Sequence, residues 1–260
     1  MLRDVFDEDP ELYDRARPVY PPPLVEALIT AAGLTPESRV LEVGPGTGQL
    51  TVPLARLGCR ITAVELGPTV ATVTRRNLRP FPNARVEVSA FEEWPLPEEP
   101  FDLVVCATAF HWIDPAVRVP KAVAALAPGG TLALVTTEHV AGGSWDQDFC
   151  DRVQGCYERW DPTTPTGLRM PDESALTPDT GELDRSDRLD AVEVRRFAQE
   201  ITYSAPEYRD LLCTFSNHRD LDPTALSGLL DCVTDLIENR NGGSVTKRTL
   251  HELITARRAA

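Results

Sequence analysis

Between residues 39 and 136, short β-rich apolar runs alternate with longer segments whose apolar residues recur every three or four positions. The runs fall at 39–43, 60–64, 85–88, 101–106 and 131–135. Segments 49–57, 69–78 and 115–126 carry the helical spacing, the last with Asp114 as N-cap and Gly129-Gly130 closing it. Strand, helix and strand in repetition require right-handed crossovers. This part therefore predicts an α/β fold with a doubly wound, mostly parallel sheet.

The flanks follow other patterns. Pro22 to Ala32 reads as a helix that begins with prolines and stops at Gly33, preceded by a polar arm bearing aromatic residues. After residue 140 the alternation breaks. Residues 145–160 form an amphipathic helix, and 161–190, rich in Pro, Thr, Asp and Gly, a loop or flap. A strand follows at 192–203, then helices at 206–215 and 225–238, and Asn241-Gly242-Gly243 turns into a final segment. There Val245, Leu250, Leu253 and Ile254 suit a helix better than a strand. The organisation is an arm and first helix (1–33), an α/β core (34–140), a mostly helical cap inserted among the last strands (141–240) and a C-terminal element (241–260).

Charge narrows the partners. The chain has 26 Lys and Arg against 40 Asp and Glu, a net charge of −14, which argues against neutralising the phosphates of a nucleic acid. No stretch approaches the roughly 18 apolar residues of a membrane span, and the N-terminus is acidic where a signal peptide is basic and then apolar, so a cytoplasmic protein is expected. The six cysteines form no C-x-x-C pair and several lie in apolar runs, which predicts reduced, buried thiols. His139 and His251 lack metal-ligand spacing, and no metal is assigned.

The chemistry concentrates after the first strand. Leu41-Glu42-Val43-Gly44-Pro45-Gly46-Thr47-Gly48-Gln49 joins a strand to a helix, a context in which glycines let backbone amides approach a ligand. Gln49 stands where a dinucleotide fingerprint places its third glycine. Glu65, at the end of the second strand, is placed to accept hydrogen bonds from ribose hydroxyls. An adenosine cofactor is the expected ligand.

At these residues the chain resembles the class I S-adenosylmethionine-dependent methyltransferases, in the branch with ubiquinone-pathway and trans-aconitate methyltransferase relatives. The likeness rests on Glu42, Gly44, Gly46, Gly48 and Glu65, on Phe91-Glu92-Glu93-Trp94-Pro95-Leu96 and Phe101-Asp102-Leu103-Val104, and on Ala109-Phe110-His111-Trp112-Ile113-Asp114-Pro115 and Ala127-Pro128-Gly129-Gly130. Less of it extends to Tyr13–Pro21, like an arm that covers the cofactor, and to Leu211–Arg219, like a cap-helix phrase. The resemblance implies a Rossmann-like seven-stranded sheet of order 3-2-1-4-5-7-6 with the last strand antiparallel, S-adenosylmethionine as cofactor, and methyl transfer to a small-molecule acceptor. It does not identify the acceptor, and monomer or homodimer stays undetermined. Many relatives carry an Asp for the adenine amino group where this chain has Ser89-Ala90-Phe91. Backbone groups near Ala90, with Phe91 and Leu66 packing the ring and Glu92 as a substitute, are expected to serve instead.

His111, after the fourth strand, is a candidate general base, or else it packs the turn with Trp112 and walls the methyl-transfer site; Phe110 is a candidate cofactor contact and Trp112 a candidate substrate contact. Tyr13 and Arg17, at i and i+4, present one face on which Arg17 could pair with a cofactor carboxylate. The alternative for Arg17 is a surface ion pair. Trp145, Phe149, Tyr157 and Trp160 read as a core-facing stripe that lines an acceptor pocket if the helix roofs the site. His218 and Arg219 are substrate contacts or surface groups. Two rivals remain. One is an S-adenosylmethionine-binding protein without transfer activity; the other, a nicotinamide-dependent oxidoreductase, is disfavoured by Gln49 and by the absence of a Tyr-x-x-x-Lys pair after the fourth strand.

Overall fold

Seven strands, β1 (Arg39–Val43), β2 (Arg60–Glu65), β3 (Ala84–Val88), β4 (Phe101–Ala107), β5 (Leu126–His139), β6 (Leu189–Ser204) and β7 (Ser244–Arg258), form one sheet of order β3-β2-β1-β4-β5-β7-β6. The structure, a computed structural model, describes residues 7–143 and 147–259. Strands β1 to β5 pair in parallel, with Val43 opposite both Val64 and Cys106 and Glu65 opposite Val88. Strand β7 runs against its neighbours. Arg258 donates to the Leu126 carbonyl at one end of β5, while the Val140 amide, just past its other end, donates to the Arg248 carbonyl at 3.3 Å. Likewise Arg196 meets Glu252 and Thr202 meets Thr246 along β6.

The parallel strands are apolar at nearly every position because both faces are covered. Leu41, Val43, Val104, Cys106, Leu132 and Leu134 enter one buried cluster, and the alternate residues Val40, Leu103, Val105, Ala133 and Val135 enter the other. Side chains of successive strand residues point to opposite faces, so one run of sequence feeds two cores.

Two compact units result, each interrupted in sequence. The first comprises residues 18–137, 178–197 and 251–260, and the second residues up to 17, 138–177 and 198–250. In the first, α2 (Pro22–Ala32) ends at Gly33 with φ 61°, as the sequence predicts; α3 (Thr51–Ala55), α4 (Pro68–Asn77) and α5 (Arg118–Ala125) follow β1, β2 and β4. In the second, α6 (Gln147–Trp160), α8 (Ala205–Leu212) and α10 (Pro223–Arg240) surround a core of Phe149, Tyr208, Leu212, Leu229 and Val233. Ser204 and Glu207 form a capping box on α8, and Asp222 accepts from the Thr224 and Ala225 amides at the start of α10. Short helices α1 (Pro10–Ala16) and α9 (Ser216–Arg219) complete this unit, and α7 (Gly181–Asp184) lies in the first.

Four expectations need correction. The C-terminal segment is strand β7, not a helix; Leu250 to Ala256 are all buried, so the polar alternation of a half-exposed strand is missing. Gly129-Gly130 do not close α5, because Leu126 is already extended and opens β5. The cysteines are not all reduced: Cys156 on α6 and Cys232 on α10 are joined by a disulfide, while Cys59 and Cys106 are buried free thiols. Pairing across 76 residues of sequence leaves no local spacing to read. Nor is the proposed cap continuous, since residues 178–197 belong to the sheet unit.

Candidate functional site

Parallel register brings the ends of β1, β2, β3 and β4 to one edge of the sheet. The chain leaves β1 toward β2 and β3 on one side, and β4 and β5 lie on the other, so the reversal of strand order falls between β1 and β4. Crevices at such switch points hold ligands in open α/β sheets. Here the two loops nearly touch. A Cβ added to Gly44, whose φ is +68°, would lie 2.6 Å from the Ala109 Cβ, so only glycine fits.

Glu65 ties the glycine loop to the end of β2. Its Oε2 accepts the Gly46 amide at 3.1 Å and its Oε1 the Gly67 amide at 3.0 Å. Helix α4 holds the same loop from behind: Thr74 donates its hydroxyl to the Gly46 carbonyl, and Asn77 Nδ2 donates to the Thr47 carbonyl at 2.9 Å. Neither residue was singled out in the sequence. The signal in the sequence was a threonine set among Val70, Ala71 and Val73, and the structure buries it fully on that helix face.

Glu42 is buried at the end of β1. Burial pushes its carboxyl up to about 7, the Thr51 hydroxyl opposing and the Glu65 charge adding to the rise. Beyond β4, Thr108 adopts φ 54° and shares a hydrogen bond of 3.1 Å with the Tyr20 hydroxyl. Phe110, His111 and Trp112 form a 3₁₀ turn. His111 is exposed at the edge, with its ring packed on Trp112 at 4.6 Å between centroids. Partial burial and the nearby Arg118 charge hold its pKa below the ordinary histidine value, favouring neutral imidazole. Arg118 also steadies the turn: it donates to the Phe110 carbonyl at 3.1 Å, lies over the Phe110 ring and pairs with Glu182.

Glu42, Gly44, Gly46, Gly48, Glu65, Leu66, Ala90, Phe110 and His111 thus share the sheet unit, the Ser89 amide continuing β2 pairing on the Glu65 carbonyl. Phe91 does not present its ring as expected. It is 4% exposed, within the core, with the Lys121 ammonium 5.5 Å from its centroid. Glu92 accepts the Asp114 amide.

The remaining candidates belong to the other unit. Arg17 donates to the Thr214 carbonyl at 2.9 Å, and its guanidinium lies 5.3 Å from the Tyr13 ring centroid and 4.5 Å from that of Phe215. Phe149 is buried in the core of this unit, as the core-facing stripe predicts. His218 is buried, not a surface group; its Nδ1–H donates to the Leu212 carbonyl at 2.8 Å and its Nε2 accepts from the Tyr157 hydroxyl at 3.1 Å. Trp145 lies outside the described residues.

Residues 41–134 match the family described as Methyltransferase domain. An uncharacterized methyltransferase of Mycobacterium tuberculosis is 40% identical over 123 residues, 47% of this chain and 48% of that protein. One of Schizosaccharomyces pombe is 33% identical over 157 residues, 60% of this chain and 61% of that protein. This chain therefore spans between about half and three fifths of the length of these relatives. Among solved structures, a Haemonchus contortus phosphoethanolamine N-methyltransferase, in complex with phosphomonomethylethanolamine and S-adenosylhomocysteine, superposes with a TM-score of 0.57 at 13% identity, covering 100% of this chain and 60% of that one. At this identity the likeness is one of fold, a seven-stranded sheet with flanking helices shared with that methyltransferase. Among the described residues, no helix is long and apolar enough to cross a membrane.

Proposed function

We propose that this chain binds S-adenosylmethionine at the edge formed by the glycine loop and Glu65 and transfers its methyl group to a small-molecule oxygen, nitrogen or carbon nucleophile. The observation that carries the reading is the contact of the loops across the switch point, where the space at Gly44 is too small for a Cβ. The residues present fit the cofactor: Gly44, Gly46 and Gly48 all have positive φ, and Glu65, which accepts the Gly46 and Gly67 amides, sets a carboxylate acceptor of the kind a ribose diol takes beside the loop. When bound, the cofactor supplies an electrophilic methyl on a sulfonium centre.

The chain's own part is positioning. Glu65 would orient the ribose, and Leu66 and the backbone near Ala90 would flank the adenine, with the glycine loop beside them. Alignment and water exclusion can supply effective molarities of ~10⁵ M or more. Neutral His111 is placed to take a proton from a phenol or amine acceptor; a carboxylate acceptor needs no base.

Calorimetry with S-adenosylhomocysteine and with a nicotinamide dinucleotide tests the cofactor. Binding of the first and not the second is expected, and the reverse overturns the reading. Incubation with labelled S-adenosylmethionine and a metabolite extract, read by mass spectrometry for the gain of one methylene, then identifies the acceptor.

A further inference from the structure

The second unit contains a cavity of about 270 Å³ built entirely from its own residues. Its wall includes Lys247, Tyr208, Phe215, His218, Cys150 and Leu168. On β7, Val245 and Lys247 sit two residues apart and are 3% and 6% exposed, so a lysine occupies a core position. Lysine is almost never buried to this degree without a partner.

None of the described carboxylates pairs with it. It donates to the Tyr208 hydroxyl at 3.5 Å, and its ammonium lies over the Tyr208 and Phe215 rings at 5.6 and 5.7 Å. Both carboxylates on the cavity wall are engaged elsewhere. Asp161 accepts from the Thr163 amide and hydroxyl and the Thr164 hydroxyl, and Asp151 pairs with Arg169 at 3.0 Å. Of the other ionisable groups facing Lys247, Arg17 is a second cation, the Cys150 thiol and Tyr208 phenol are neutral in their protonated forms, and burial holds the His218 pKa down, favouring its neutral imidazole.

A buried ammonium without an anion is costly, and an arriving anion removes that cost. We propose that this cavity binds a small carboxylate with an apolar body, its carboxylate seated on Lys247 Nζ and the Tyr208 hydroxyl and its body against Phe215 and Leu168. The volume, just below that of drug-sized pockets, suits a metabolite of benzoate or phenylacetate size. One ammonium beside one phenol hydroxyl suits a monoanion better than a phosphate, which draws several donors. Burial and the Arg17 charge bring the Lys247 pKa down to about 8 in the empty cavity. Binding at this cavity is measured without a methyl donor.

The test is calorimetry on the full chain with benzoate and phenylacetate, their uncharged amides, and inorganic phosphate. Carboxylates should bind at least about tenfold more tightly than the amides or phosphate, and their affinity should fall more than tenfold between about pH 7 and pH 9.5 as Lys247 loses its proton. Lys247→Met should abolish carboxylate binding while circular dichroism and thermal unfolding show an intact fold. Lys247→Arg should keep the preference and lose the pH dependence, since arginine stays charged. Equal binding of acid and amide, a pH-independent affinity, binding retained by Lys247→Met, preference for phosphate, or no carboxylate binding at millimolar concentration would each overturn the proposal.

Discussion

The Gly46 amide donates to Glu65 Oε2 at 3.1 Å, so the loop after β1 and the end of β2 are joined directly, although 19 residues separate them in sequence. The same carboxylate that shapes the loop is the one assigned to the ribose.

Glu65→Ala should weaken S-adenosylhomocysteine binding by about 1.5–3 kcal/mol, the range for hydrogen bonds to a charged group. Calorimetry gives the affinity and thermal unfolding checks that the fold persists. An unchanged affinity would place the ribose elsewhere.

Gly44→Ala should destabilise the sheet unit by about 1–3 kcal/mol, through both its +68° φ and the 2.6 Å approach to Ala109. Pairing it with Ala109→Gly should restore the steric part and leave the backbone part. Urea unfolding of the two variants separates these contributions; equal stability of the single and double variants would show that only φ matters.

Glu42 sets a pH dependence. Its folded pKa of about 7 exceeds the ordinary value of 4.5, so the unfolded chain releases its proton first. Its contribution to stability is therefore best below pH 4.5 and is lost as pH rises toward 7. Glu42→Gln should flatten that fall and raise stability above pH 7 by up to about 3 kcal/mol. Unfolding temperatures measured across this range check the slope.

Loss of the Cys156–Cys232 bridge, which closes a 76-residue span, should lower the stability of the helical unit by about 2–4 kcal/mol. Cys232→Ser should show this in thermal unfolding while leaving S-adenosylhomocysteine affinity unchanged. A parallel loss of affinity would mean that the bridge also organises the cofactor site.

Much of the candidate site was legible because its geometry is local. Gly44, Gly46 and Gly48 mark a strand-to-helix turn, and Glu65 follows at the end of the next strand, so both the loop and its acidic partner lie in one short stretch. Phe91 misled for a physical reason: an aromatic after a strand edge reads alike whether it faces a ligand or turns inward, and here it is buried beneath Lys121.

By itself, the sequence determined the alternation of strands and helices from 39 to 136, the placement of α2, α4, α8 and α10, and the glycine loop, because periodicity and turn chemistry act over a few residues. Tertiary structure alone decided the rest. Strand β7 lies between β5 and β6, where burial on both faces erases alternation, and Cys156 meets Cys232 only when α6 packs on α10. Lys247 reads as an ordinary polar residue until the helices of its unit close over it. Whether a charge is solvated or buried depends on packing between segments far apart in the chain, and no local pattern encodes that.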